Sequence, residues 1–329
     1  MRENNLASSF SRLVSVAPMM DWTDRHCRFF HRLIAPDVLL YTEMVTTPAI
    51  MHGDREKLLG FDAAEKPLAL QLGGNDADAL ARCAEIGEQW GYDEINLNCG
   101  CPSDRVQEGA FGACLMAEPQ TVAASVAAMR RAARIPVTVK SRIGIDDQDS
   151  YEFLKHFIET VAAAGCDTFI IHARKAILKG LSPKENRTVP PLIYDHVYRI
   201  KQEFPQLQIV INGGIKTTAE VREHLRHTDG VMIGREAYQN PWWLNELQNE
   251  ILQKPNVKTP QDIVHEMLPY IEQQLTRGTR LSAITRHILG LFQGIPGARK
   301  WRRILTEDAV KPGADADVIF HALHAVASG

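Results

Sequence analysis

A cysteine on a predicted loop is the residue of this chain best suited to acid chemistry. Cys101 lies in the stretch 96–103, which has the sequence NLNCGCPS and follows a predicted strand at 92–95. A glycine, a proline and short polar residues end such a strand abruptly, and the proline after Cys101 favours extended backbone. A free thiol has a pKa near ~8.5, so at neutral pH it mostly keeps its proton and can donate it. Cys101 is therefore a candidate general acid.

Two other roles for Cys101 compete with this one. A lone cysteine also serves as a small apolar side chain packed under a loop. A structural zinc site usually combines two spaced pairs of ligands, and Cys99 and Cys101 have no second pair downstream. We therefore predict no metal site.

The elements that must position Cys101 alternate between short apolar strands and amphipathic helices. The predicted strands cover residues 13–17, 38–42, 68–72, 92–95, 137–140, 168–172, 209–212 and 230–233. The predicted helices cover residues 24–34, 76–90, 119–133, 150–164, 192–203, 218–227 and about 241–253, and residues 47–59 form a connection. Eight such units in about 250 residues predict an α/β fold, a closed (β/α)₈ TIM barrel. A doubly wound sheet would use fewer strands and a G-x-G-x-x-G turn, which the chain lacks.

The strand pattern disappears after residue 253, and residues 259–329 have helical spacing. We therefore predict two domains: a catalytic barrel over residues 1–253 and a small all-helical domain over residues 254–329.

In such a barrel the loops after the strands meet on one face, which carries the chemistry. Seven of the eight predicted strands end in a group that suits a binding or catalytic site. These groups are Pro18, Met19 and Met20; Gln71; Asn98 and Cys101; Lys140; His172; Asn212, Gly213 and Gly214; and Gly234 with Arg235. A lone histidine or glutamine among them is more typical of a satisfied polar residue in the core. Their convergence on one rim predicts a site.

Two glycine-containing turns suggest that this site binds a phosphate. Residues 212–214 and 234–235 follow the seventh and eighth strands, where barrels often hold phosphate through backbone N–H groups. Lys140 is costly to bury unless it meets an anion or a polar ring. Next to a flavin it would stabilise the negative charge that collects at N1 and O2 on reduction. The alternative is a pair of tight turns with no ligand.

Bulk properties narrow the class of protein. The formal net charge of −3 gives no overall nucleic-acid signal, so any RNA binding must come from local patches. The six cysteines form no spaced disulfide framework, residues 1–15 lack an apolar signal core, and no apolar run approaches the ~18 residues that span a bilayer. We expect a cytoplasmic protein.

The motifs resemble those of the tRNA-dihydrouridine synthase family along nearly the whole chain. The similar motifs are Ala-Pro-Met at 17–19 with Asp21, and those at 98–102, 140–142, 172–174 and 212–214. Residues 20–25 and 297–303 resemble the A subfamily in particular. One departure is Glu236, where many members have a second glycine after the arginine of strand eight.

The resemblance implies an enzyme that uses FMN and NADPH to reduce the C5–C6 double bond of uridine in the tRNA D-loop, at positions 20 and 20a in the A subfamily. It implies that reduced FMN delivers hydride to C6 and that Cys101 protonates C5 from the opposite face. Asn98 would hold the uracil or its ribose. The implied FMN ligands are Pro18, Met19, Met20, Gln71, Lys140, His172, Asn212, Gly213, Gly214, Gly234 and Arg235.

Basic segments supply the local charge that tRNA binding needs. Residues 277–303 contain seven Arg or Lys and no Asp or Glu, and the loop after strand six adds further lysines and arginines. A basic run is often only a solvated helix face, but beside a tRNA site it suits phosphate contacts. By resemblance, Lys184, Arg187, Lys300 and Arg303 orient the tRNA. No obligate protein partner is expected, and the chain is expected to be a monomer.

Three other functions stay open on sequence grounds. The first is a flavin barrel acting on a free pyrimidine, like dihydroorotate dehydrogenase, which would not need the basic helical tail. The second is a Schiff-base aldolase that uses Lys140, and the third is an RNA-binding protein whose barrel holds no flavin.

Overall fold

The computed structural model describes residues 10–103, 107 and 109–327, and within them eight parallel strands form a barrel. The strands are β1 (Val14–Val16), β2 (Leu40–Thr46), β3 (Leu68–Gly73), β4 (Glu94–Cys99), β5 (Val137–Arg142), β6 (Thr168–His172), β7 (Gln208–Asn212) and β8 (Gly230–Ile233). Their order is β1-β8-β7-β6-β5-β4-β3-β2. Ser15 also pairs with Leu39, just before β2, and Val16 N donates to Leu39 O at 2.9 Å. This contact closes the ring, and the predicted TIM barrel is confirmed.

Helices surround the barrel and form the C-terminal tail. They are α1 (Arg25–Ile34), α2 (Thr47–His52), α3 (Arg55–Leu59), α4 (Ala77–Gln89), α5 (Pro119–Ala132), α6 (Tyr151–Ala163), α7 (Tyr194–Glu203), α8 (Thr218–His224), α9 (Arg235–Gln239), α10 (Trp243–Glu250), α11 (Pro260–Thr276), α12 (Leu281–Ile288), α13 (Ala298–Glu307) and α14 (Asp317–Ala327). Within the described residues, no helix is long and apolar enough to cross a membrane.

The fourth strand differs most from its prediction. It was expected at residues 92–95 and instead runs from Glu94 to Cys99, so that Asn96 and Asn98 lie inside the strand. All six of its residues are buried. The polar residues alternate with Ile95, Leu97 and Cys99 of the apolar core cluster, a period of two in which the polar side faces the barrel interior. The strand was predicted to end at residue 95 because the glycine, the proline and the short polar residues of 96–103 are typical of a loop.

The barrel interior has an apolar part and a polar part. The apolar part is a separate cluster of buried side chains, Ala17, Leu39, Tyr41, Ala69, Ile170, Val210 and Met232. The polar part comes from three neighbouring strands, β3, β4 and β5, and consists of Gln71, Glu94, Asn96, Asn98 and Thr138, each at most 8% exposed. Buried polar groups are costly unless they are hydrogen-bonded, so this part must form a connected network.

The buried apolar side chains of the helical tail belong to the same cluster as those around the barrel. Trp301 of α13 is fully buried, its ring packs edge-on against Phe292 at 4.8 Å, and its Nε1 donates to Ile288 O at 3.1 Å. The segment between α10 and α11 is attached to the barrel, because Asn256 Nδ2 donates to Ile34 O at the end of α1 at 2.8 Å. The expected boundary after residue 253 falls within this segment. Residues 1–9 of the predicted barrel domain lie outside the described part of the chain.

Asp24 joins the tail to the barrel. Its Oδ1 caps α1 by accepting from the backbone N–H groups of His26 and Cys27, and its Oδ2 lies 2.7 Å from an Arg286 nitrogen and 3.0 Å from His287 Nε2. Burial alone would raise the pKa of Asp24, but its hydrogen bond and charge interaction with His287 and the Cys27 N–H outweigh burial and lower the pKa. One carboxylate therefore begins the first barrel helix and also anchors α12.

Replacing Asp24 by alanine should lower the free energy of unfolding by about 2–4 kcal/mol, because it removes a helix cap and two hydrogen bonds from charged or buried donors. Since the pKa of Asp24 is lowered by folding, this contribution is present above pH ~4 and is lost as the pH falls. Asp76→Ala removes only the cap of α4 and should cost about 1 kcal/mol. Urea unfolding at pH 7 measures the free energy of unfolding of both variants. Equal losses in Asp24→Ala and Asp76→Ala would mean that the contacts of Asp24 with the tail contribute nothing to stability.

Candidate active site at the barrel mouth

The strand ends place the predicted site residues around one opening. Gln71, Asn98, Lys140, His172 and Asn212 lie near the carboxyl ends of β3 to β7. The strand register sets Asn98 beside Lys140 and His172 beside Asn212. The barrel therefore brings together, from five successive strands, side chains that are up to 141 positions apart, from Gln71 to Asn212.

Lys140 is a lysine whose charge is poorly compensated. Its Nζ donates to Asn212 Oδ1 at 3.2 Å, and no carboxylate within the described part of the chain pairs with it. Burial lowers the pKa of Lys140 to about 7, and the positive charge of Arg142 adds to the effect. An amine with such a lowered pKa favours an anionic or electron-rich ligand, because the ligand would stabilise the charged form.

His172 lies on β6, the strand next to that of Lys140, and one of its ring nitrogens lacks a hydrogen bond to any described residue. Its Nδ1 is buried and has no hydrogen-bond partner among the described residues. Burial, together with the charges of Arg142 and Lys140, holds the pKa of His172 well below its usual range, so the ring is neutral. A buried polar atom without a partner costs free energy that a ligand can recover by supplying the missing hydrogen bond.

The two glycine turns provide backbone donors, and the second also has open space beside it. Gly213 and Gly214 have φ angles of 121° and 75°, which favour glycine, and Tyr194 Oη holds the turn by donating to Gly213 O at 2.7 Å. A Cβ added to Gly234 would meet nothing within 4 Å, so the space beside this residue is open. Successive N–H groups in such turns suit a phosphate.

Arg235 and Glu236 begin the short helix α9 directly after the second turn. Arg235 lies at the rim, where its guanidinium donates to Arg187 O at 3.3 Å. The backbone at Glu236 is helical. The glycine that many family members have at this position is therefore not required by the backbone here.

The segment 17–23 forms a compact turn after β1. Met19 N donates to the Thr23 hydroxyl at 2.9 Å, and the same hydroxyl donates to Met19 O at 3.2 Å. Pro18 and Met19 are half-buried, whereas Met20 is 57% exposed. These residues present backbone and apolar surface at the rim.

Cys101 is fixed by Asn98. The Asn98 Oδ1 atom accepts from the backbone N–H groups of Gly100 at 3.0 Å and Cys101 at 2.9 Å. The Cys101 thiol is half-buried and lies 3.5 Å from the Ser103 hydroxyl. Cys99 is fully buried, and burial raises its pKa. Only one of the two thiols is therefore available to a substrate.

Arg142 is a residue of the site that the sequence interpretation missed. It follows Lys140 by two positions on β5, and it is buried. Its Nε donates to Gly100 O at 3.1 Å, and its Nη1 donates both to Asn186 O at 2.9 Å and to Lys175 O at 3.3 Å. Arg142 thereby ties the Cys101 segment to the loop after β6. The period of two along β5 was the signal that would have identified it.

The four predicted tRNA contacts lie on two separate elements. Lys184 and Arg187 are exposed on the loop after β6, and the buried Asn186 between them anchors that loop through Ile177 O and Ile177 N at 2.8 and 2.7 Å. Lys300 and Arg303 are exposed on α13, whose opposite side carries the buried Trp301. Within the described residues no cluster of His, Cys, Asp or Glu could hold a metal.

Solved structures of other proteins share the barrel. A complex of 2-naphthoyl-CoA reductase with 2-naphthoyl-CoA superposes with a TM-score of 0.56 at 9% identity, over 74% of this chain and 50% of that one. An old yellow enzyme homologue from Zymomonas mobilis has a TM-score of 0.52 at 11% identity, over 75% of this chain and 90% of that one. At these identities the likeness concerns the fold alone.

Sequence comparison identifies the family of the chain as well as its fold. The chain is 61% identical over 313 residues to the tRNA-dihydrouridine(20/20a) synthase of Vibrio cholerae, covering 94% of this chain and 95% of that one. It is 62% identical over 315 residues to the enzyme of the same name from Escherichia coli K12, covering 95% and 91% of the two chains. The sequence model of the family "Dihydrouridine synthase" matches residues 15–326 of the chain. The chain belongs to the dihydrouridine synthase family.

Proposed function

We propose that the protein is a tRNA-dihydrouridine synthase that binds FMN, takes its electrons from NADPH, and reduces uridines 20 and 20a of the D-loop. The observation that carries this proposal is the convergence of Lys140, His172 and the 212–214 turn at the end of the barrel where the Cys101 segment follows β4. We further propose that it acts in the cytoplasm as a monomer, without an obligate protein partner.

The residues at the mouth fit FMN. The glycine turns at 213–214 and 234–235, with Arg235, suit its phosphate, because they offer backbone donors and a fixed positive charge, and the space beside Gly234 is open. Lys140 and the unpaired His172 would gain partners from the polar edge of the flavin, and Gln71 would contribute a further hydrogen bond. Pro18, Met19 and Met20 would contact the ring through backbone and apolar atoms. When bound and reduced, FMN supplies the hydride that C6 of uracil accepts.

Cys101 and Asn98 have complementary tasks towards the uracil. The Cys101 thiol donates its proton to C5 on the face of the base opposite the flavin. Asn98 sets the position of that thiol through its bond to Cys101 N, and its Nδ2 keeps one hydrogen for the base or its ribose besides the one given to Gln71. Arg142 holds the Cys101 segment beside the loop after β6.

The helical domain over residues 254–329 and the loop after β6 bind the tRNA. Lys184, Arg187, Lys300 and Arg303 are exposed and would contact phosphates, which position the RNA without reading its sequence. A uridine in a folded tRNA must leave its stack to reach a barrel mouth, at a cost of a few kcal/mol. Phosphate contacts on two elements would offset that cost.

The purified protein is expected to be yellow and to release FMN, not FAD or riboflavin, when it is denatured. Absorption spectroscopy followed by chromatography of the released cofactor is the measurement. A colourless protein that takes up no added FMN would contradict the proposal. A colourless protein with a borohydride-trapped imine on Lys140 would instead support the aldolase.

The affinity for FMN should depend on pH through Lys140. The pKa of Lys140 is about 7 without ligand, so below pH 7 the amine is already charged, and above pH 7 it must take up a proton on binding. The dissociation constant should therefore rise above pH 7, by up to about tenfold per pH unit. Lys140→Met should bind more weakly at pH 7 and lose this rise.

Lys175→Met is the matched control, because the Lys175 amine pairs with Asp149 at 2.7 Å. Fluorescence titration of the flavin-free protein between pH 6 and 9 gives the dissociation constant of FMN against pH for the parent, Lys140→Met and Lys175→Met. A rise that persists in Lys140→Met would assign the pH dependence to another group.

A further inference from the structure

A continuous line of hydrogen bonds runs through the barrel interior to the Cys101 segment. Thr138 Oγ1 donates to Glu94 Oε1 at 2.7 Å, and Asn96 Nδ2 donates to Thr138 Oγ1 at 2.9 Å. Gln71 Nε2 then donates to Asn96 Oδ1 at 2.8 Å, and Asn98 Nδ2 donates to Gln71 Oε1 at 2.9 Å. We call Glu94, Thr138, Asn96, Gln71 and Asn98 the polar relay.

The two ends of the polar relay determine the direction of every bond in it. At the upper end, Asn98 Oδ1 must accept, because its partners are the backbone N–H groups of Gly100 and Cys101. At the lower end, the Glu94 carboxylate accepts from Tyr41 Oη at 2.8 Å and from Arg12 Nε at 2.7 Å. Donors at one end and an acceptor at the other leave a single arrangement of the amides between them.

Asn96 joins the lower part of the polar relay to its upper part. It is fully buried, and both ends of its amide are used within the relay, one on Gln71 and one on Thr138. Apolar residues fill the other part of the interior, so a polar side chain at this depth is not required for packing. Asn96 holds Gln71 Nε2, and through Gln71 it holds Asn98.

We infer that Asn96, with Thr138 and Glu94 beneath it, is a positioning residue for the active site. It sets which end of the Gln71 amide faces the cofactor and stiffens the Asn98 side chain that fixes Cys101. This inference rests on the proposed function for its consequence in catalysis. The orientation of the Gln71 and Asn98 amides follows from the hydrogen bonds alone.

The test cuts the polar relay below the residues that face the ligand. Asn96→Leu removes both of its bonds at similar size, Thr138→Val removes only the hydroxyl, and Thr138→Ser keeps that hydroxyl. Hydrogen exchange at the Gly100 and Cys101 amides, measured by mass spectrometry on the flavin-free protein, reports the stiffness of Asn98. Titration with FMN reports the orientation of Gln71.

We expect Asn96→Leu to speed exchange at these two amides by about tenfold and to weaken FMN binding by a similar factor. Thr138→Val should show smaller changes in the same direction, and Thr138→Ser should match the parent. The control is the Ala173 amide, which donates to Asn212 O at 2.8 Å across the mouth and should not change.

Unchanged exchange at Gly100 and Cys101 in both Asn96→Leu and Thr138→Val would overturn the inference. Equal acceleration at Ala173 would also overturn it, because the relay would then serve only general stability. If Asn96→Leu does not fold, the exchange rates at Gly100 and Cys101 in Thr138→Val, compared with those in Thr138→Ser, decide whether the inference holds. A parent protein that binds no FMN would refute the proposed function, while the exchange comparison would still decide the relay.

Discussion

Replacing Cys101 by alanine is expected to slow the reduction of tRNA by about 10²- to 10⁴-fold, the usual cost of losing a placed general acid. The flavin should still be reduced by NADPH at a near-normal rate, because hydride transfer to FMN needs no proton from this thiol. The two half-reactions therefore respond differently to one substitution. Single-turnover oxidation of the reduced enzyme by unmodified tRNA, with dihydrouridine counted by mass, measures the affected half.

Two further variants separate acidity from size and position. Cys101→Ser should fail almost as badly as alanine, because a hydroxyl is a far weaker acid than a thiol. Cys99→Ala should be much milder, because Cys99 is fully buried on the other side of β4. If Cys101→Ala turned over tRNA like the parent, Cys101 would be only a loop side chain, and the acid would have to be another group.

Reversing the charges of Lys300 and Arg303 should weaken tRNA binding by about 10- to 100-fold near 0.1 M salt. Each phosphate contact that is lost removes a salt-dependent contribution, so the slope of log K against log salt should fall by about 1.4 to 1.8. Flavin content and reduction by NADPH should not change. Binding assays across a series of salt concentrations measure both quantities.

The matched control is the double variant Arg130→Glu, Arg131→Glu. These two exposed arginines lie in the last turn of α5, which runs back from the mouth to the opposite end of the barrel. The control should bind tRNA like the parent. Unchanged affinity in the Lys300, Arg303 variant at both low and physiological salt would contradict a role of α13 in binding.

The sequence was sufficient for the barrel and for most of its rim. The sixth and eighth strands lie where they were predicted, because each has three consecutive apolar residues. The end of the barrel was predicted less well. Residues 241–253 were expected to form a helix, which the structure has as the shorter α10, and the short helix α9, which ends before the proline of residue 241, was not predicted.

The interior contacts could not be predicted, because they depend on the register between strands. Asn96 appeared to belong to a loop motif, and only its place on β4 beside Gln71 of β3 and Thr138 of β5 gives it a role. Arg142 was visible as part of a motif, but its bonds to Gly100 and Asn186 join segments that are far apart in the chain. Such contacts follow from the closed barrel and not from local pattern.

Family membership disfavours the three other functions that the sequence left open. The match covers residues 15–326, so it includes the basic tail that a free-pyrimidine dehydrogenase would not need.

The most direct test of the whole account is the product itself. The purified protein should be incubated with NADPH and tRNA that lacks modifications, and the tRNA should then be digested and analysed by mass spectrometry. We predict dihydrouridine at positions 20 and 20a, formed only when NADPH is present. A protein that oxidises NADPH through its flavin but leaves every uridine of the D-loop unreduced would contradict the account.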